Sequence, residues 1–245
     1  MSLREAIREA ASSSLGVLTR DAALRGTKGF DEAWRTAQGV PGWFDEVSAA
    51  TFWGVIADAR PQTVVEIGSY LGRSTCLIGL AVKAHSKDPT LFAIDPHTGD
   101  RQNLENIGVD TIPTLQLFRV YTDGAGVRDV LEERVMPSDD AAKDWDGRPV
   151  DLVFVDGWHS YDAVLSDARN FASLLTPKGV VCFDDYGTYE DVRRAVRDAC
   201  SELGLHLYGV IRRKAWAGRT PEPPPPLARA LRVTRPLRVL ERGRG

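Results

Sequence analysis

Two rhythms of apolar and polar residues alternate along this chain. Short, nearly continuous apolar runs occur at Val64 to Ile67, Leu91 to Asp95, Val150 to Asp156 and Gly179 to Asp184. Runs of that length and density predict strands buried on both faces. Between and after them lie stretches with helical spacing: 73–82, 114–121, 161–175 and 190–203, the last with Val192, Val196 and Cys200 on one face. A third strand is expected over Val130 to Met136, polar through Glu132, Glu133 and Arg134, and two closing strands over Leu205 to Ile211 and Lys214 to Ala217. Upstream, Leu3, Ile7, Ala10, Ala11 and Leu15 predict one or two accessory helices over 3–24, in an N-terminal segment 1–40 that precedes the main domain. Gly26, Gly29, Gly39 and Gly42 read as breaks. Asp45 to Ala59 is a helix carrying Val47, Phe52, Val55 and Ile56, capped by Asp45 or a neighbour and stopped by Pro61. Trp34, Trp43 and Trp53 read as core or lid packing. Strands alternating with helices predict an α/β domain over 41–218: a doubly wound, mostly parallel seven-stranded sheet with ligands bound beyond the strands' carboxyl ends.

The first strand runs into the stretch Thr63-Val-Val-Glu-Ile-Gly-Ser-Tyr-Leu-Gly-Arg-Ser-Thr75, a strand, a glycine turn and a helix start. Gly68 lets backbone approach a ligand, and the helix N-terminus offers free N–H groups. A dinucleotide loop wants G-x-G-x-x-G; here the pattern is Glu66-x-Gly68-x-x-x-Gly72. Pyrophosphate is disfavoured, and Glu66 suits a ligand with a cationic amino-acid end. Asp95 closes the second strand, where an acid can accept from both ribose hydroxyls.

Two later strand ends deliver three carboxylates, Asp156 and then Asp184 with Asp185, separated by 28 residues between the first two. Adjacent parallel strands lie ~5 Å apart, so these acids crowd one edge unless a cation joins them. A hard divalent ion with oxygen ligands, most simply Mg2+, would do so. His159 follows in the turn Asp156-Gly-Trp-His159, an imidazole suited to proton removal. Trp158 and Tyr70 are placed to wall the cofactor or acceptor, or simply to pack.

Charge and cysteines narrow the setting. The net charge is −3, yet residues 219–245 hold seven Arg against two Glu, which leaves the remainder at −8. A body that acidic is a poor general nucleic-acid binder. Cys76, Cys182 and Cys200 have no paired or zinc spacing and read as free buried thiols of a reducing compartment. The charged N-terminus has no apolar signal region, and no run approaches the ~20 residues of a membrane span, so a cytoplasmic location is expected. After the run Pro223 to Pro226, Arg229, Arg232, Arg235 and Arg238 recur every third residue. This Pro/Arg-rich tail reads as a flexible terminus, or as a basic segment touching anionic lipid or a polyanion.

The Glu66–Thr75 stretch resembles motif I of class I S-adenosylmethionine-dependent methyltransferases. Its wording is similar to the metal-dependent O-methyltransferases of the catechol and macrocin types. The resemblance spans residues 40–215 and implies a Rossmann-like sheet. It also implies cofactor contacts from Glu66, Gly68, Ser69, Tyr70, Ser74, Asp95, Asp156 and Trp158. Pro137-Ser138-Asp139 resembles the adenine-contacting turn of the catechol type, which adds Ser138 and Asp139. Catechol-type enzymes have Asp-x-x-Lys where this chain has Asp156-Gly-Trp-His159; the macrocin-type sugar enzymes have Asp-x-x-His and an Asp-Asp pair matching 184–185. The expectation is therefore methyl transfer from S-adenosylmethionine to a hydroxyl of a sugar, glycoside or oligosaccharide. Asp156, Asp184 and Asp185 would hold Mg2+, with His159 as base beside Asp156, in an enzyme that self-associates. Alternatives are a catechol or other phenol as acceptor, an NAD-dependent oxidoreductase, or a non-catalytic binding protein on the same scaffold.

Overall fold

Val64, Val65, Ile67, Leu152, Val153, Phe154 and Val155 are all buried, which is what strands covered by helices on both faces require. The computed structural model describes residues 29–98 and 113–234. The chain order is α1 (Phe30–Gln38), α2 (Glu46–Ala59), β1 (Thr63–Ile67), α3 (Arg73–His85), β2 (Thr90–Ile94), α4 (Thr114–Ala125), β3 (Leu131–Arg134), α5 (Ser138–Lys143), β4 (Val150–Val155), α6 (Tyr161–Phe171), β5 (Leu175–Phe183), α7 (Glu190–Leu203), β6 (His206–Ile211), β7 (Lys214–Gly218) and α8 (Pro225–Thr234). The seven strands form one sheet in the order β3-β2-β1-β4-β5-β7-β6. β1 to β5 are parallel, and β7 runs antiparallel between β5 and β6.

Strand parity divides the core in two. Val64, Leu91, Leu152, Phe154 and Cys182 face α1, α2, α3 and α8. Val65, Ile67, Phe92, Val153, Val155 and Phe183 face α6 and α7. β3 is polar because it is the sheet's edge: its residues are half-buried, and Glu133 accepts from Arg119 and Arg128.

Three expectations change. Residues 30–38, flanked by glycines that read as breaks, form α1; Gly29 (φ +104°) is its N-cap and Gly39 its C-cap. The glycines bound the helix rather than prevent it, and Phe30, Ala33 and Ala37 are buried. The helix expected over 161–175 does not run on to the Thr176-Pro-Lys-Gly179 stretch. A 3-10 turn over Ala172–Leu174 ends it, and β5 begins at Leu175 with a register shift against Val150/Leu152. The tail is not extended throughout. Pro225 and Pro226 sit in the first turn of α8, where a missing N–H breaks no helical bond. Leu227 and Ala230 are buried in the same core as α2, which takes this part of the predicted flexible tail into the domain. Arg229 and Arg232 remain exposed. The helices expected within 3–24, the polar stretch 99–112, Arg235 and Arg238 lie outside the described residues. All three cysteines are free and buried. Among the described residues, no helix is long and apolar enough to cross a membrane.

Candidate active site

The glycine turn after β1 is set by close backbone approach. Gly68 has φ +84°, and a Cβ there would stand 2.1 Å from the Asp156 carbonyl oxygen. Only a hydrogen at that position lets the ends of β1 and β4 meet. Asp95, at the end of β2, braces the turn: its Oδ2 accepts from the backbone N–H groups of Ser69 (2.9 Å) and Tyr70 (2.8 Å), and its Oδ1 from that of His97 (2.7 Å). Gly72 (φ +93°) opens α3 with no side-chain cap, leaving the first-turn N–H groups available to an anionic ligand group. Arg73 donates to the carbonyls of Val40 (2.6 Å) and Gln38 (3.0 Å), tying the 38–44 segment over the turn. Exposed Trp43 thereby rests on Tyr70, ring centroids 5.6 Å apart.

These elements wall a cleft of about 790 Å³ at the carboxyl ends of the strands. Gly68, Ser69, Tyr70, Ser74, Asp95, Ser138, Asp139, Asp156, Trp158, His159, Asp184 and Asp185 all line it. Of the predicted site residues, Glu66 alone stays outside the lining. Its position in β1 points it at α3, where it is fully buried. Its Oε2 accepts from Ser69 (3.0 Å) and from Thr75, while Oε1 has no partner among the described residues. Glu66 therefore shapes the turn from beneath instead of meeting the ligand directly.

Burial pushes the Glu66 carboxyl up to about 7, against hydrogen bonds from Ser74, Thr75 and Ser69 that pull it down. A carboxyl that keeps its proton longer when folded makes stability fall as pH rises. The loss begins near the ordinary value of 4.5 and completes above about 7, and amounts to ~3 kcal/mol. Denaturant titrations of ligand-free protein between pH 4.5 and 8 should show this decline, and Glu66→Gln should flatten it. An unchanged slope in that variant would assign the pH dependence elsewhere.

At the next pair of strands, Phe154↔Cys182 and Val155↔Phe183 are in register, and the Asp184 N–H donates to the Val155 carbonyl at 2.9 Å. Asp156 and Asp184 are thus neighbours, as the strand-end spacing predicts. Burial, then the Asp184 charge, hold the Asp156 carboxyl well above the usual range. Asp185 turns away, because its backbone is left-handed (φ +51°). Its Oδ2 lies 3.1 Å from His159 Nε2; its Oδ1 accepts from Thr188 Oγ1 at 2.9 Å and faces Arg213 Nε at 3.6 Å. Burial raises the Asp185 pKa; the His159 and Thr188 hydrogen bonds and the Arg213 charge outweigh it, leaving the carboxyl below its ordinary value. Tyr189 stacks on the His159 ring, centroids 4.7 Å apart and planes 13° from parallel.

The carboxylate cluster expected to hold Mg2+ is not assembled. No group of three metal-ligating side chains converges among the described residues. The reason is a residue the sequence reading passed over. The tight turn between β6 and β7 places Lys214 beside Asp184, and its Nζ donates to Asp184 Oδ2 in a buried ion pair. The carboxylates are thereby divided: Asp184 to a lysine, Asp185 to His159 and Arg213. These donors do not fit a shared divalent ion. The only advance sign of Lys214 was a cation opening an otherwise apolar strand.

The predicted adenine end has a further unforeseen acid. Asp167 on α6 is buried, lines the cleft and accepts from Ser138 Oγ at 2.5 Å. Burial pushes its carboxyl to about 6. Asp139 beside it has Oδ1 engaged by Ser166 (2.6 Å) and Asn170 (2.7 Å).

A parallel sheet closed by an antiparallel hairpin, with a glycine turn and acid at adjoining strand ends, is the Rossmann-like architecture of the class I methyltransferases. Residues 65–186 match a family described as a methyltransferase domain. That segment is similar to methyltransferase domains, and the sheet around it has their fold. The chain is 27% identical over 211 residues to the protein y4gI of Sinorhizobium fredii, covering 80% of this chain and 22% of that protein. It spans between about a fifth and about half of the length of the curated relatives it matches. Its fold is similar to that of the SAH-bound Podospora anserina methyltransferase PaMTH1, with a TM-score of 0.57 and 14% identity over 89% of this chain and 96% of that one. It is also similar to the O-methyltransferase NovP, with a TM-score of 0.59 and 19% identity over 70% of this chain and 77% of that one.

Proposed function

We propose that this chain transfers a methyl group from S-adenosylmethionine to a hydroxyl oxygen of a small acceptor, a sugar or glycoside by preference. The observation that carries the reading is the His159–Asp185 pair standing in the same cleft as the glycine turn and Asp95. The first turn of α3 would receive the donor's carboxylate, Asp95 its ribose hydroxyls, and Ser138 with Asp167 its adenine. Bound there, S-adenosylmethionine supplies an electrophilic methyl carbon on a sulfonium.

An alcohol is a weak nucleophile at neutral pH and needs its proton removed as it attacks. His159 is arranged for that. With Nε2–H directed to Asp185, the neutral tautomer leaves a lone pair on Nδ1 to take the acceptor's proton. Asp185 then faces an imidazolium, whose charge it stabilises. Tyr189 fixes the ring's plane. No step requires Mg2+, for which the donor arrangement gives no support.

Trp43, Trp158 and Tyr189 stand 64%, 61% and 44% exposed at the cleft. Their faces suit the C–H face of a sugar ring or the flat face of a phenol. The His in the Asp156–His159 turn favours the sugar; the aromatic rim keeps the phenol as a second reading. Calorimetric titration with S-adenosylmethionine should give one site, with NAD giving no heat. Labelled methyl transfer would then be screened over glycosides and catechols. Binding of NAD alone would overturn the reading, and methylation of catechols without glycosides would select the second.

A further inference from the structure

Lys214 is the only lysine buried among the described residues, at 2% exposure. Burying an ammonium is costly without compensation. Here Nζ donates to Asp184 Oδ2 and lies over the rings of Phe44 and Phe154, 5.3 and 5.5 Å from their centroids. The other oxygen of Asp184 accepts from the Asp185 N–H at 2.6 Å. Asp156 stands beside Asp184 at the neighbouring strand end. Asp184 and Asp185, two of the three carboxylates a divalent ion would use, thus already have donors from the protein.

The backbone explains the delivery. β7 pairs antiparallel with β5, Phe183 opposite Ala215, so the residues beyond that pair, Asp184 and Lys214, stand at the same sheet edge. The two-residue turn between Ile211 and Lys214, with Arg212 at φ +57°, fixes Arg213 and Lys214 as consecutive cations. They meet the consecutive acids: Arg213 faces Asp185, and Lys214 pairs with Asp184. Two acids and two bases are matched by strand register.

We infer that the Lys214 ammonium is the resident counter-ion of the Asp156–Asp184 pair, and that it makes this site independent of a divalent metal. A metal ion at Asp184 would stand against a tethered positive charge and would have to displace it. The ammonium holds the floor of the cleft in shape, and deprotonation of the acceptor falls to His159. The inference rests on the methyl-transfer reading for the site's purpose, but the occupancy of Asp184 is measurable apart from it.

The test is Mn2+ binding to the full chain, followed by electron paramagnetic resonance, with S-adenosylmethionine binding measured on the same samples. Wild type should bind no Mn2+ that is lost on Asp184→Asn. Lys214→Met should open the carboxylates and raise Mn2+ affinity about tenfold or more, and a second change, Asp184→Asn, should abolish the gain. A wild-type Mn2+ site that vanishes in Asp184→Asn overturns the inference, and that comparison stands even where Lys214→Met does not fold. Equal Mn2+ affinity in folded Lys214→Met and wild type overturns it as well. Absence of S-adenosylmethionine binding would instead count against the methyl-transfer reading, leaving the Mn2+ result to report on Lys214.

Discussion

Replacing His159 with alanine is expected to lower turnover by about 100- to 10,000-fold, the range general-base catalysis contributes, while S-adenosylmethionine binds as before. The separation follows from geometry. His159 lies beyond β4 and is held by Asp185 and Tyr189. The glycine turn proposed to hold the donor is itself held by Asp95 and Glu66 through contacts that do not include His159. Removing the imidazole deletes the proton acceptor and leaves that turn intact. Asp185→Asn should cost less, because the amide still offers an oxygen to Nε2–H but no longer stabilises the protonated ring. Added imidazole should restore part of the lost turnover in His159→Ala, which a purely structural histidine would not allow. Single-turnover rates with saturating donor, beside calorimetric donor affinity, check both halves. Wild-type turnover in His159→Ala would remove this residue as the base and with it the proposed chemistry.

What the amino-acid pattern disclosed depended on how local the cause was. β1, β4 and β5 were legible because strands covered on both faces cannot alternate with polar residues. α7 was legible because its one buried face repeats Val192, Val196 and Cys200 at helical spacing. The glycine turn left its trace as Gly68 and Gly72, both at positive φ. Other features depend on partners distant in sequence. Lys214 meets Asp184 only through the register of β5 with β7. Asp184 and Asp185 part company through one left-handed residue, which an Asp-Asp pair does not announce. Glu66 could have been placed by parity: it shares the face of Val64, which packs under α3, and not that of Val65 and Ile67. α1 and α8 escaped because glycines and prolines were weighed as breakers, when at a helix's ends they serve as its boundaries.

Gly68→Ala is expected to have the largest effect on folding of any single methyl group added to this site. The new Cβ would stand 2.1 Å from the Asp156 carbonyl oxygen, 2.6 Å from the Asp156 carbonyl carbon and 2.8 Å from Gly157 Cα. All three are backbone atoms of the β4 terminus, so no rotamer change relieves the clash. The backbone is also left-handed there, at φ +84°, which adds a penalty of ~1–2 kcal/mol for any residue with a Cβ. The ends of β1 and β4 must then separate, and the Asp156 N–H loses its 2.8 Å bond to the Ile67 carbonyl or strains it. The expected cost is above ~4 kcal/mol, the range reserved for backbone strain and core disruption. Donor binding should disappear with it, since Asp95, Asp156 and the turn no longer share one geometry. Gly124→Ala supplies the control: it lies in α4, an added Cβ meets nothing within 4 Å, and the change should be neutral or stabilising by about 0.5–1 kcal/mol. Thermal unfolding and calorimetric donor titration on both variants decide the matter. A Gly68→Ala protein that melts with wild type and binds the donor would mean that the turn does not need the close approach of β1 to β4 on which the cleft is built.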